Sequence, residues 1–166
     1  MTQTHPVATT ETGASFSPCG QYRYTLWRTW GVGPLCNFLM LNPSTAGEVQ
    51  NDPTVERCQR RAESWGYGGL IVTNLYAFRS TDPKRLKYQI DPVGPDNADA
   101  IRESAGQCQI VVCAWGAHGG ERGNAVLAML REFCPWKLLY LRFTSKGAPE
   151  HPLFLPYTLK PIKWLP

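Results

Sequence analysis

Short apolar runs that alternate with amphipathic stretches constrain this chain more than any other feature. Residues 37–41 (NFLML), 70–73 (LIVT), 109–114 (QIVVCA) and 137–142 (KLLYLR) are too short for buried helices. They are also too continuously apolar for strands with one wet face. Between them, Val55, Cys58, Ala62 and Trp65 recur at helical spacing. Ala98, Ile101 and Ala105 do so again, followed by Val126, Met129, Leu130 and Phe133. Strands buried on both faces and alternating with helices predict an α/β three-layer sandwich around a central, mostly parallel sheet.

Local signals sharpen the boundaries. The alternating aromatic run at 22–30 (YRYTLWRTW) predicts a strand, preceded by a turn at 16–20 (FSPCG). Asp52-Pro53 supplies an N-cap and a proline at the first helical position, and the glycines of 66–69 stop that helix. The stretch 76–95 contains Pro83, Pro92 and Pro95 and predicts an ordered surface loop. Asp96 stands where it would cap the next helix.

At 166 residues, 43% hydrophobic and 18% charged, the chain suits one globular domain and not a disordered segment. We expect a polar, Thr-rich flexible arm over 1–14 and a single domain over 15–166. The arm lacks the apolar stretch of a signal peptide, so a cytoplasmic, monomeric protein with no membrane partner is expected. The six cysteines form no Cys-x-x-Cys pair and the three histidines have no zinc-like spacing. Cys36, Cys58 and Cys113 fall in apolar patterns and read as core thiols; neither a disulfide framework nor a metal is expected. The net charge of +4 is compatible with a polyanionic partner, although many soluble enzymes share it. A Gly-x-x-x-x-Gly-Lys loop is absent, which argues against an NTPase.

In parallel sheets, ligands gather at the carboxyl ends of strands. Asn42, Asn74, residues 115–118 and the loop before His151 all fall at such ends. The segments that carry them also resemble a known superfamily. Residues 37–47 (NFLMLNPSTAG) are similar to the first motif of mismatch-specific and thymine-DNA glycosylases. Residues 71–83 (IVTNLYAFRSTDP), 110–119 (IVVCAWGAHG) and 151–153 (HPL) resemble later segments of the uracil-DNA glycosylase superfamily, in the family's order. The strings LNPSTA, NDPT, WGYGG, DPVGPDN, AWGAHG and HPL also resemble the domain of unknown function 1643 family.

The glycosylase resemblance implies a uracil-DNA glycosylase-like fold and a monofunctional DNA glycosylase that flips a base from double-stranded DNA. It implies catalytic roles for Asn42 and His151, with Asp52 as an alternative activator of the attacking water. Asn74 would read the base edge; Ser44, Tyr76, Phe78, Trp115 and His118 are further base-binding candidates. Leu153 or Phe154 would plug the emptied stack, and Arg57, Arg79, Lys84, Arg85 and Lys146 would contact DNA. The cysteine that thermophile-type relatives carry just after this Asn is missing, so no iron–sulfur cluster and no other cofactor is expected. Small residues at 44–47 replace the bulk that excludes 5-substituted pyrimidines, which implies a 5-modified substrate, a hypermodified phage base among them, and a role in antiphage defence. Alternatives are a non-enzymatic reader of modified bases and a nucleoside or nucleotide hydrolase. The same residues also have plainer readings: Asn42-Pro43 as a turn, Asp52 as an N-cap alone, His118 as an exposed turn residue, and Arg57, Arg60 and Arg61 as a solvated helix face.

Overall fold

The apolar runs do form strands. The computed structural model describes residues 10–166. Its strands are β1 (Glu11–Phe16), β2 (Arg23–Thr29), β3 (Leu35–Met40), β4 (Gly69–Asn74), β5 (Ile110–Cys113), β6 (Leu138–Tyr140) and β7 (Ile162–Lys163). Its α-helices are α1 (Pro53–Ser64), α2 (Asn97–Gln107) and α3 (Gly120–Phe133). One seven-stranded sheet has the order β1-β2-β4-β3-β5-β6-β7. The four central strands are mutually parallel, while β1, β2 and β7 join antiparallel.

Alternation along β3 sorts the core into two layers. Cys36, Phe38 and Met40 pack with Val55, Cys58 and Ala62 of α1. Leu39 and Leu41 point the other way, into a cluster with Ile101 and Ala105 of α2 and Val126 and Leu130 of α3. One helix therefore covers one face and two cover the other, giving the three layers the sequence predicts. Asn37 is the exception inside this apolar strand. It is fully buried, and its Nδ2 donates to the Ile71 carbonyl at 2.8 Å and to Thr73 Oγ1 at 3.2 Å. A buried amide is tolerable only when paired in this way, and here the pairing fastens β3 to β4.

The connections place the site. β3 leads through α1 to β4 on one side, and β4 then returns through α2 to β5 on the other side of β3. The strand order reverses at β3, and such a reversal leaves a crevice beyond the strand carboxyl ends.

Three local expectations change. Residues 11–14, assigned to the flexible arm, belong to β1 and pair with β2 from Glu11↔Thr29 to Ala14↔Leu26; residues 1–9 of that arm lie outside the described residues. The 76–95 stretch contains a 3-10 helix, Pro83–Tyr88, whose N-cap Asp82 accepts from the Lys84 N–H at 3.0 Å. Phe133, expected inward on α3, is 48% exposed, and Leu127 takes its place in the core. Phe133 is the last residue of α3, where the helical stripe drifts off the sheet. Cys36, Cys58 and Cys113 are buried, as are Cys108 and Cys134.

Candidate functional site

The carboxyl ends of β3, β4 and β5 open into a cleft of about 590 Å³, within the range of small-ligand sites. Its wall includes Asn42, Ser44, Asp52, Asn74, Trp115, His118, His151 and Leu153, all singled out from the sequence. Segments more than a hundred residues apart in the chain thus converge on one cavity. A second cleft, about 690 Å³, lies between the β1–β2 pair and α2. It is rimmed by Asp96, Asp99 and Glu103, away from the strand carboxyl ends, and its charge is wrong for a polyanion.

Asn42 is held by its own amide. Its Nδ2 donates to the Ser80 carbonyl at 2.8 Å and to the Pro43 carbonyl at 3.2 Å. Its Oδ1 accepts no hydrogen bond among the described residues, so the residue presents an acceptor. Asn74 closes β4 and is 2% exposed, yet its Nδ2 is buried with no hydrogen-bond partner among the described residues. Its main-chain carbonyl is engaged by the Asn97 amide at 2.9 Å, which fixes the backbone and leaves the side chain uncommitted. An unmet buried donor costs about 1–3 kcal/mol, a cost a ligand acceptor would remove.

His151 caps the short 3-10 helix Pro152–Phe154, with its Nδ1 accepting from the Leu153 N–H at 3.3 Å. That bond assigns the ring proton to Nε2. Burial pushes the imidazole pKa below its ordinary value, and the Asp52 carboxylate opposes this in part. His151 is therefore a neutral donor near pH 7. Gly116 passes close behind it; with φ of +75°, its N–H bonds the Pro149 carbonyl at 2.7 Å, and a β-carbon there would meet His151 Cβ at 3.6 Å.

Asp52 is the N-cap of α1. Oδ1 accepts from the Val55 N–H at 2.8 Å and Oδ2 from the Ala46 N–H at 3.4 Å. Both oxygens thus serve the backbone of the loop and helix, as the capping reading had it, while the residue still faces the cleft.

Buried arginines build the rest of the frame, and the sequence reading missed most of this. Arg28 is 3% exposed and donates to the Gly47 and Trp27 carbonyls, each at 2.8 Å, and to Asn51 Oδ1 at 3.0 Å. Arg23 is 2% exposed, donates to the Ala46 carbonyl at 2.8 Å, and lines the cleft. Both hold the loop between β3 and α1. The available signal was a pair of charges inside a strand, β2, that has neighbours on both sides. On α1, Arg61 is fully buried and donates to the Leu155 and Pro156 carbonyls at 2.7 and 3.1 Å. Arg57 donates to the Leu155 carbonyl at 2.6 Å and lies over the Tyr157 ring. The expected solvated face is thus a clamp on the His151 segment, and only Arg60 is exposed. Arg57, expected on DNA, is committed to that clamp: unpaired carbonyls in the 152–157 segment need donors, and this helix supplies them.

The aromatic candidates separate. Trp115 lines the cleft but is 5% exposed, wedged against Gly119 and Gly123 and 5.8 Å from the Trp164 ring. Tyr76 faces a neighbouring depression with Lys84, Leu86 and His118. Phe78 packs edge-on against Tyr22 beside a shallow groove that holds Arg79 and Arg85. Neither Tyr76 nor Phe78 reaches the main cleft, because the chain turns outward after Leu75. Phe154, at the cleft mouth, is 90% exposed. The groove with Arg79 and Arg85 shares Ser44, Thr45, Ser80 and Thr81 with the cleft, and the depression with Lys84 and Lys87 shares Pro83 and His118. The cleft is therefore flanked by exposed cations on two sides. Lys146 is exposed on the turn after β6 and borders none of these cavities.

The model of a protein family of unknown function, DUF1643, matches residues 23–153. The chain belongs to the DUF1643 family. The match begins at Arg23 and ends at Leu153, so in this DUF1643 chain it spans most of the cleft wall. No curated protein and no solved structure matches it.

Proposed function

We propose that this chain is a monofunctional DNA glycosylase related to the uracil-DNA glycosylase superfamily, acting on a flipped-out, 5-modified pyrimidine and leaving an abasic site. The observation that carries the reading is the buried, unpartnered amide of Asn74 in a cleft that also presents the Asn42 acceptor and the His151 Nε2–H donor. A pyrimidine edge offers matching donors and acceptors.

The chemistry follows from these groups. The C1′–N bond breaks with its electron pair going to the base, leaving an oxocarbenium-like sugar. His151 stabilises the negative charge developing on a base carbonyl oxygen, as a preorganised donor does. Asn42 Oδ1 accepts a hydrogen bond from water, whose oxygen then bonds to C1′. An amide does not take up the proton, which ends on the departing base or in solvent. Phe154 fills the vacated stack, and the flanking cations meet the phosphates. Ser44 and Thr45 are small residues of the cleft wall, which suits room beside the pyrimidine 5-position, bulky bases of phage DNA and a defensive role.

A second reading, a non-enzymatic reader of modified bases, is favoured by one feature: both Asp52 oxygens already accept backbone N–H groups. Incubation with plain, uracil-containing, 5-hydroxymethylcytosine-containing and glucosylated DNA decides between them. Alkali reveals abasic sites and mass spectrometry identifies a freed base. Release of one base, lost in Asn42→Ala, supports the enzyme. Binding without release, equal in both proteins, supports the reader.

A further inference from the structure

Arg23 is a buried cation that makes no ion pair among the described residues. Arg23 is 2% exposed, and among the described residues its one hydrogen bond runs from Nη1 to the Ala46 carbonyl. Among the described residues its buried Nε has no partner and no ion pair includes Arg23. Burial lowers its pKa to about 10, a shift that Asp52 opposes and that Arg79 and Arg28 reinforce. A protein does not ordinarily leave a guanidinium in this condition unless something else completes it.

What surrounds it says what that is. Arg23 shares the cleft with the amino end of α1, a helix of 12 residues. Pro53 has no N–H, and the Val55 N–H is taken by Asp52, so the first uncommitted donor of that helix is Thr54 N–H. The hydroxyl-bearing residues Ser44, Thr45 and Thr54 line the same space. A planar fork of donors, a helix amino end and several hydroxyls together match a tetrahedral oxyanion. The one opposing charge, Asp52, has both oxygens engaged by N–H groups.

We propose that Arg23 and the amino end of α1 form a receptor for a phosphate group carried by the ligand of the cleft. The phosphate belongs to a DNA strand or to a free nucleotide. The proposal rests on the cleft being the ligand site and not on base excision, so a protein that releases no base can still pass the test.

The experiment measures binding by calorimetry and by thermal shift. The probes are 2′-deoxyuridine, 2′-deoxyuridine 5′-monophosphate, inorganic phosphate and a short single-stranded oligonucleotide. A phosphate-bearing probe is expected to bind at least tenfold more tightly than the nucleoside. Arg23→Gln is expected to abolish that tenfold preference. Binding of the monophosphate assigns a free nucleotide as the source; binding of the oligonucleotide alone assigns the strand. Equal binding of nucleoside and monophosphate with no oligonucleotide binding overturns the proposal, as does an Arg23→Gln protein that keeps the preference. If Arg23→Gln does not fold, Ser44→Asp places a carboxylate in the same cleft and is expected to expel the phosphate; unchanged phosphate binding by that variant overturns the proposal equally.

Discussion

The Asn42 amide nitrogen lies 2.8 Å from the Ser80 carbonyl and ties the end of β3 to the loop that follows β4. This contact makes the amide, and not a carboxylate, the group that fits here. Asn42→Asp would set a negative oxygen against the Ser80 and Pro43 carbonyls. We expect it to destabilise the fold by about 1–3 kcal/mol, the cost of a donor lost from partly buried acceptors. We also expect it to lower base release, although a carboxylate is the stronger water activator. Urea unfolding and a release assay on one preparation check both; a stable, faster Asn42→Asp protein would refute the argument.

His151 gives the fold a pH dependence whose sign is fixed by burial. Its folded pKa lies below the ordinary 6.5, so the unfolded chain binds the proton more readily. The contribution of the neutral ring is fully present above pH 6.5 and declines as the pH falls from there toward the folded value. Urea midpoints from pH 5 to 8 are expected to fall on the acid side, and less steeply in His151→Gln. Parallel curves for the two proteins would assign the acid sensitivity elsewhere.

Neighbouring arginines on α1 differ sharply in consequence. Arg61→Ala strips the Pro156 carbonyl of its donor, leaves the Leu155 carbonyl to Arg57 alone and opens space in a sealed site; about 2–4 kcal/mol should be lost. Arg60 makes an exposed pair with Glu56, and Arg60→Ala should leave stability almost unchanged. Denaturant midpoints of the two variants separate these cases, and equal losses would contradict the clamp.

Gly119 leaves no room for a side chain: a β-carbon there would sit 2.3 Å from the Trp115 ring. Gly119→Ala must displace that ring, at about 1–3 kcal/mol. Because Trp115 borders the cleft, its fluorescence and near-UV dichroism should change together with ligand affinity. A variant with wild-type spectra and wild-type binding would show that the ring yields elsewhere.

Phe154 offers the converse test. At 90% exposure it contributes little to the fold, so Phe154→Ala should leave stability within about 0.5 kcal/mol of the parent. If it fills the gap left by an extruded nucleotide, the variant should bind duplex DNA several-fold more weakly. Unchanged affinity in a fluorescence anisotropy titration would remove that role.

The sheet's central strands and their helices were legible because burial on both faces writes a pattern that needs no tertiary knowledge: 70–73 and 109–114 fall on β4 and β5 within a residue or two. β1 and β7 were not legible. One begins in polar sequence and the other spans Ile162–Lys163, and each is a strand only because a neighbour offers its edge. The site followed the same division. Asn42, Asn74 and His151 could be placed on the cleft wall because clefts of parallel sheets open at the strand carboxyl ends. Arg23, Arg28 and Arg61 could not, since a charge in a sequence reads as solvated until the carbonyls that bury it are known. Tyr76 and Phe78 stood near Asn74 in the chain, but the backbone turns them away from the cleft.

The pairing of β7 with β6 bears on how this protein behaves at high concentration. Leu139↔Lys163 and Tyr140↔Ile162 occupy the open side of the last parallel strand, and Trp164 packs its ring against Tyr140, Phe143 and Trp115. Without those few residues, a buried apolar strand would present its unpaired amides and carbonyls to the next molecule, the usual template for edge-to-edge aggregation. β7 thus covers that edge, anchored by a tryptophan whose partner Trp115 also forms part of the cleft wall.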